Sequence, residues 1–155
     1  ITPKTPSPLT KESASSTFTS DTAGYSVTLP FVWQKDADNP AAADIFSDKE
    51  KNVQVAIQFL PNDPRLLEVS GKADVINDNK KAYENDQKYE INKFNQTVWN
   101  GLPVVEVQGA FTEKGEVWDF AEYEIFFGSQ IYNIRINTKP GYQKSFDPSR
   151  CKCDV

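Results

Sequence analysis

Four carboxylates fall within one short stretch of the chain: Glu116, Asp119, Glu122 and Glu124. Side chains alternate along an extended strand, so Glu122 and Glu124 share a face. Two acids side by side can split acid and base roles by shifting one another's pKa, or can hold a cation between them. Trp118, Phe120 and Phe126 lie on their face, and Val117, Ala121, Tyr123, Ile125 and Phe127 on the other. The simpler expectation is a solvated strand face opposite a cation such as Arg135, because carboxylates are exposed by default. On that expectation the chain has no catalytic residue, no cofactor site and no metal site.

The other candidate clusters are weaker still. The run Asp74-Val-Ile-Asn77-Asp78-Asn79 offers oxygen ligands but lacks the glycine and terminal glutamate of an EF-hand loop. Asp36, Asp38 and Asp44 read as a hydrophilic loop. Cys151 and Cys153 are one residue apart at the C-terminus, a poor geometry for a mutual disulfide and half of a structural zinc site at most. They read as a loose tail with free thiols. The chain has no histidine, so its serines lack the usual activating base. Trp33, after a strand end, and Trp99, before Asn100-Gly101 on a hairpin tip, are the candidate partner-binding residues.

The elements that carry these residues are legible from alternation and turn chemistry. In residues 53–60, Val53, Val55, Ile57 and Phe59 point one way and Gln54, Ala56 and Gln58 the other, a strand with one face in a core. Tyr25, Val27 and Leu29 alternate toward Pro30, and Ala43 to Phe46 forms a short strand that pairs with the one at 53–60. Asp63 and Pro64 start a helix, the aspartate as cap and the proline where its missing N–H costs nothing. Leu66, Val69, Ala73, Ile76 and Tyr83 continue its apolar stripe to about Asp86, weakened by Gly71 and with a break expected near Asn77–Asn79. Four strands follow: Tyr89 to about Phe94, one through Val105 and Val107, one from Trp118 to Phe127, and one through Tyr132, Ile134 and Ile136. Hairpin-length links make them antiparallel. The predicted architecture is α+β, an antiparallel β-sheet with a helix packed on one face.

The chain has 155 residues and a net charge of −5, enough for one domain and the wrong sign for duplex nucleic acid or an anionic lipid surface. Residues 1–17, rich in Pro, Ser and Thr, read as a flexible linker ahead of a single domain over residues 18–155. An opening at Ile1 rather than Met reads as a mature or trimmed chain.

Gly24-Tyr25-Ser26-Val27-Thr28-Leu29-Pro30 followed by Trp33 resembles the opening of the PsbP/Mog1-like superfamily. Asn100-Gly101-Leu102-Pro103-Val104 resembles that family's hairpin, and a long aromatic strand, a glycine turn and Ile131-Tyr132-Asn133-Ile134 follow in the same order. The resemblance spans residues 18–140. Tyr142 to Val155, broken by Pro148, departs from the family's closing helix. Similar proteins include thylakoid-lumen proteins of photosystem II, a Ran-binding nuclear protein and bacterial envelope lipoproteins, with no shared catalytic site. The resemblance implies a non-enzymatic extracytoplasmic interaction module, tethered to a membrane only through its N-terminal segment, monomeric, with a protein partner. The alternatives are a thylakoid-lumen photosystem II-associated or assembly protein, and a small-ligand or metal-binding domain using the Glu122/Glu124 face.

Overall fold

Alternating valines and glutamines do form a strand at Val53–Phe59 in the computed structural model, which describes residues 16–20, 25–29, 34–35, 43–140 and 152–154. The strands are β1 Ser16–Ser20, β2 Tyr25–Leu29, β3 Gln34–Lys35, β4 Ala43–Ser47, β5 Val53–Phe59, β6 Tyr89–Trp99, β7 Leu102–Glu113, β8 Glu116–Phe127, β9 Gln130–Thr138 and β10 Lys152–Asp154. A 3-10 turn, Pro64–Leu67, and one helix, α1 Val69–Asn85, lie between β5 and β6. Seven strands form one antiparallel sheet in the order β3-β4-β5-β9-β8-β7-β6, and β1-β2-β10 form a second. The predicted α+β architecture, with a helix packed on one sheet face, is the architecture observed.

Alternation along the strands buries both faces of the large sheet. Val55, Ile57, Val104, Tyr123, Ile125, Ile134 and Ile136 form the core on one face, where Phe18 of β1 packs edge-on against Phe46 at 5.0 Å. Leu66, Tyr83, Val107, Phe120, Phe126 and Ile131 form the core on the other, beneath the 3-10 turn and α1. Gly128 has a positive φ of 59° and turns β8 into β9, and Asn100 and Gly101, at 48° and 81°, make the type of tight turn that matches the twist of β6 and β7.

Four sequence expectations are corrected here. Ser16 and Thr17 are not linker: they belong to β1, paired with Leu29 and Thr28, and the Thr17 and Thr28 hydroxyls bond at 2.9 Å. The helix runs unbroken through Asn77–Asn79, because its inner stripe is held by the sheet and packing overrides weak propensity. β6 extends five residues past Phe94, since Asn95 to Trp99 find partners in β7. The C-terminal stretch is not a loose tail throughout: Lys152–Asp154 pairs with β2, Cys153 opposite Val27, whereas Cys151 lies outside the described residues.

The predicted start signal caps the 3-10 turn rather than α1, which begins at Val69 after the extended Glu68, with no side-chain cap. The Asp63 side chain accepts from the Arg65 N–H at 3.0 Å, with Pro64 in the first turn. Gly71 has a reason that propensity does not show. A Cβ there would lie 2.0 Å from the Arg65 carbonyl oxygen, so only glycine lets the 3-10 turn fold back against α1. Helix propensity alone favours alanine at this position by about 1 kcal/mol. Gly71→Ala is nevertheless expected to lower stability by about 1–3 kcal/mol, because the backbone contact must open. Urea unfolding reads the sign, and a gain in stability would show that the contact is not required.

Candidate functional site

The long strand β8 places Glu122 and Glu124 on the face of Phe120 and Phe126, which is the face that α1 covers. They are therefore not a solvated strand face: Glu122 is 6% and Glu124 5% exposed. The predicted cation does lie opposite, since Arg135 of β9 is the register partner of Glu122. The Arg135 guanidinium lies 3.7 Å from Glu122 Oε2, donates to the Tyr89 hydroxyl at 3.0 Å, and donates from Nε to Asn137 Oδ1 at 3.0 Å. It also sits over the rings of Phe120, Phe111 and Tyr89, at 4.6, 4.8 and 5.2 Å. From the helix, Asn79 donates to Glu124 and Tyr83 bonds to Glu122. Asn137 passes the network on to Gln54 at 3.3 Å.

This is a buried polar chain across β5, β9, β8 and α1. Its charge balance follows from burial. Desolvation, then repulsion from Glu122, pushes the Glu124 carboxyl up to about 8, against a smaller lowering by the Asn79 hydrogen bond. At neutral pH Glu124 thus keeps its proton and can donate it to Glu122. One negative charge remains on the pair, and Arg135 matches it. Burial, then the nearby Glu122 charge, raises Tyr83 beyond any physiological titration. No group of three or more metal-ligating side chains occurs among the described residues.

Of the two tryptophans singled out, Trp33 lies outside the described residues. Trp99 is half in and half out: 40% exposed, with its ring 4.9 Å from that of Tyr123. The more open surface is its neighbour Val98, 64% exposed, on the strand face that looks toward α1. On that side the helix and β6 leave a groove of about 680 Å³. One helical stripe, Val69, Lys72, Ala73, Ile76, Asn77 and Lys80, forms one wall, and Phe94, Asn95, Gln96 and Pro103 form the other. Neither Glu122 nor Glu124 lines it.

Comparison of the sequence with protein-family models and with curated proteins finds no match. Comparison of the structure does. The cyanobacterial PsbP protein CyanoP of Synechocystis sp. PCC 6803 superposes with a TM-score of 0.60 at 11% identity, over 85% of this chain and 84% of that one. The chain has a PsbP/Mog1-like fold. Two other solved structures share the PsbP/Mog1-like frame. PA94 of Pseudomonas aeruginosa, a putative regulator, gives a TM-score of 0.55 at 14% identity over 88% of this chain and 90% of that one. LpqN of Mycobacterium tuberculosis, involved in cell envelope biogenesis, gives 0.57 at 9% identity over 91% and 86%. At these identities the likeness is one of fold.

Sequence reasoning placed Glu122, Glu124 and Arg135 together but missed Asn79, Tyr83 and Tyr89, and so missed that the acids are covered. A signal was available. Alternation puts both acids on the side of Phe120 and Phe126, and two large aromatics on a sheet face need a cover.

Proposed function

We propose that this PsbP/Mog1-like domain is a non-enzymatic extracytoplasmic module that works by binding a protein partner. The observation that carries this reading is the apolar surface left open at the α1–β6 side. Val69 is 87% exposed at a groove walled by Ala73, Ile76, Phe94 and Pro103, and Val98, 64% exposed, is the register partner of Pro103 beside it. Open apolar side chains beside a formed groove mark interaction sites. The buried acids support the same reading from the other direction. Glu122 and Glu124 are engaged by Arg135, Tyr83 and Asn79, so these two carboxyls serve a network inside the fold. The structural likeness to an envelope-biogenesis protein and to CyanoP favours a place outside the cytoplasm.

Photo-crosslinking in the source cell tests both parts. Benzoylphenylalanine at Val98 is expected to give a discrete adduct that fractionates with the cell envelope or, in a photosynthetic cell, the thylakoid lumen. The same probe at Val117, 51% exposed at the far end of β8, is the control. Equal labelling from the two sites, or recovery of the protein with the cytosol, would count against the proposal.

A further inference from the structure

The α1–β6 groove combines three properties that together specify an occupant. First, in a chain of net charge −5, its lining carries Lys72 and Lys80 and no acid. Among the described residues neither lysine forms an ion pair. Second, β6 is the outermost strand of its sheet, so no described strand pairs with its outer edge. A bulge between Ile91 and Lys93 interrupts the edge early, and the run from Phe94 to Trp99 beyond it is regular. Third, the spacings agree. Lys72 and Lys80 are separated by about 12 Å along the helix axis, at roughly 1.5 Å per residue. Side chains four residues apart on one face of an extended strand are separated by about 13 Å.

The direction of the helix fixes how these features line up. α1 leads into β6 through a short turn, and the Tyr83 and Tyr89 rings meet at 5.0 Å, so the two elements run antiparallel. Lys80 lies over the Phe94 ring at 5.8 Å. Lys72 therefore falls two turns away, toward Val98 and Pro103. Between the two ammonium groups the helix wall is Ala73 and Ile76, with Asn77 beside them, and the strand wall runs from Phe94, under Lys80, to Gln96.

We propose that this groove binds an extended acidic segment of a partner protein, added as a strand along the outer edge of β6. Two carboxylates four residues apart meet Lys72 and Lys80, and the apolar side chain midway between them packs against Ala73 and Ile76 of the helix. The proposal rests on the interaction-module reading and gives that module its ligand chemistry. Main-chain hydrogen bonds to a sheet edge supply affinity in this mode, and alternate side chains supply selectivity.

Fluorescence anisotropy with short synthetic peptides is the test. The probe has a Glu-Thr-Val-Thr-Glu core. One control replaces each Glu by Lys, and another carries N-methyl groups on alternate residues so that one edge of its backbone cannot donate. The acidic peptide is expected to saturate with a Kd below about 100 μM, and the lysine peptide to bind about 10-fold or more weakly. N-methylation on the β6-facing edge is expected to lose about 10-fold or more as well. The Lys72→Glu/Lys80→Glu protein should reverse the preference, and Lys72→Gln/Lys80→Gln, which removes charge without adding it, should abolish the difference between the two peptides. Thermal melting monitored by circular dichroism confirms that each variant is folded. Equal binding of acidic and lysine peptides, no binding at about 1 mM, or a dimer in sedimentation that blocks the peptide would overturn the proposal. An envelope adduct at Val98 without peptide binding would leave the module reading standing and remove this one. Peptide binding by a protein recovered with the cytosol would leave the groove a binding site and remove only the extracytoplasmic part of that reading.

Discussion

An Arg135→Met variant is expected to unfold about 3–5 kcal/mol more easily than the parent at neutral pH. Arg135 is the one cation that the described structure sets against the buried Glu122–Glu124 pair, at 3.7 Å from Glu122. Its guanidinium also donates to Tyr89 and Asn137 and is enclosed by Phe111 and Phe120. Methionine keeps much of the apolar contact with those rings. It removes the charge and leaves a buried carboxylate, a hydroxyl and an amide short of a donor. The loss is thus an electrostatic one, and a double-mutant cycle isolates it. Glu122→Gln/Arg135→Met should recover at least half of the stability that Arg135→Met loses, because a neutral pair no longer strands a charge. Arg135→Lys should fall in between, since lysine carries the charge but not the planar fork that reaches several partners at once. Urea unfolding of the parent, both single variants of the cycle, the double variant and Arg135→Lys decides it. A loss below about 1 kcal/mol for Arg135→Met would mean that water already reaches Glu122.

The contrast between what alternation revealed and what it concealed is instructive at β8. Period-two patterning correctly sorted Trp118, Phe120, Glu122, Glu124 and Phe126 onto one face and Tyr123 and Ile125 onto the other. Register added Arg135 opposite Glu122. Patterning within a strand says which residues share a face, not what lies over that face. The cover came from α1, whose own sequence is polar enough that Asn79 reads as a weak point in a helix rather than as a hydrogen-bond donor to Glu124. The groove was hidden for the same reason. Lys72, Ala73, Ile76 and Lys80 lie on one helical stripe in any reading, but only the antiparallel placement of α1 beside an edge strand turns that stripe into a wall. At the C-terminus, Lys152–Asp154 carries no pattern at three residues, and its pairing with β2 depends on the fold already being in place.

The remaining large effect is a pH dependence of stability that resides in Glu124. In the folded protein its carboxyl titrates at about 8, against an ordinary value of 4.5. The causes are desolvation under α1 first and the neighbouring Glu122 charge second, with the Asn79 hydrogen bond acting the other way. Between pH 4.5 and 8 the folded state therefore holds a proton that the unfolded chain has released. Linkage gives the sign: where the native state binds more protons, stability falls as pH rises. The stabilisation from this proton is fully present below the unfolded value, declines through the window, and is gone above the folded value. At about 1.4 kcal/mol per unit, the whole span amounts to up to about 5 kcal/mol. Asp63 works in the opposite sense. Its hydrogen bonds from Arg65 lower its pKa, so its contribution is lost only in strong acid, outside this window. Glu124→Gln isolates the effect, because the amide is a permanently neutral copy of the protonated carboxyl. It can accept from Asn79 through its oxygen and donate to Glu122 through its nitrogen. The variant is expected to match the parent within about 1 kcal/mol near pH 4.5 and to exceed it by about 3–5 kcal/mol near pH 9. Urea unfolding of both proteins across that range is the measurement, and the difference between the two curves cancels the titrating groups that do not touch the Glu122–Glu124 pair. A difference that stays flat with pH, or that grows toward acid, would show that Glu124 is ionised in the folded protein and that α1 does not exclude water from the pair.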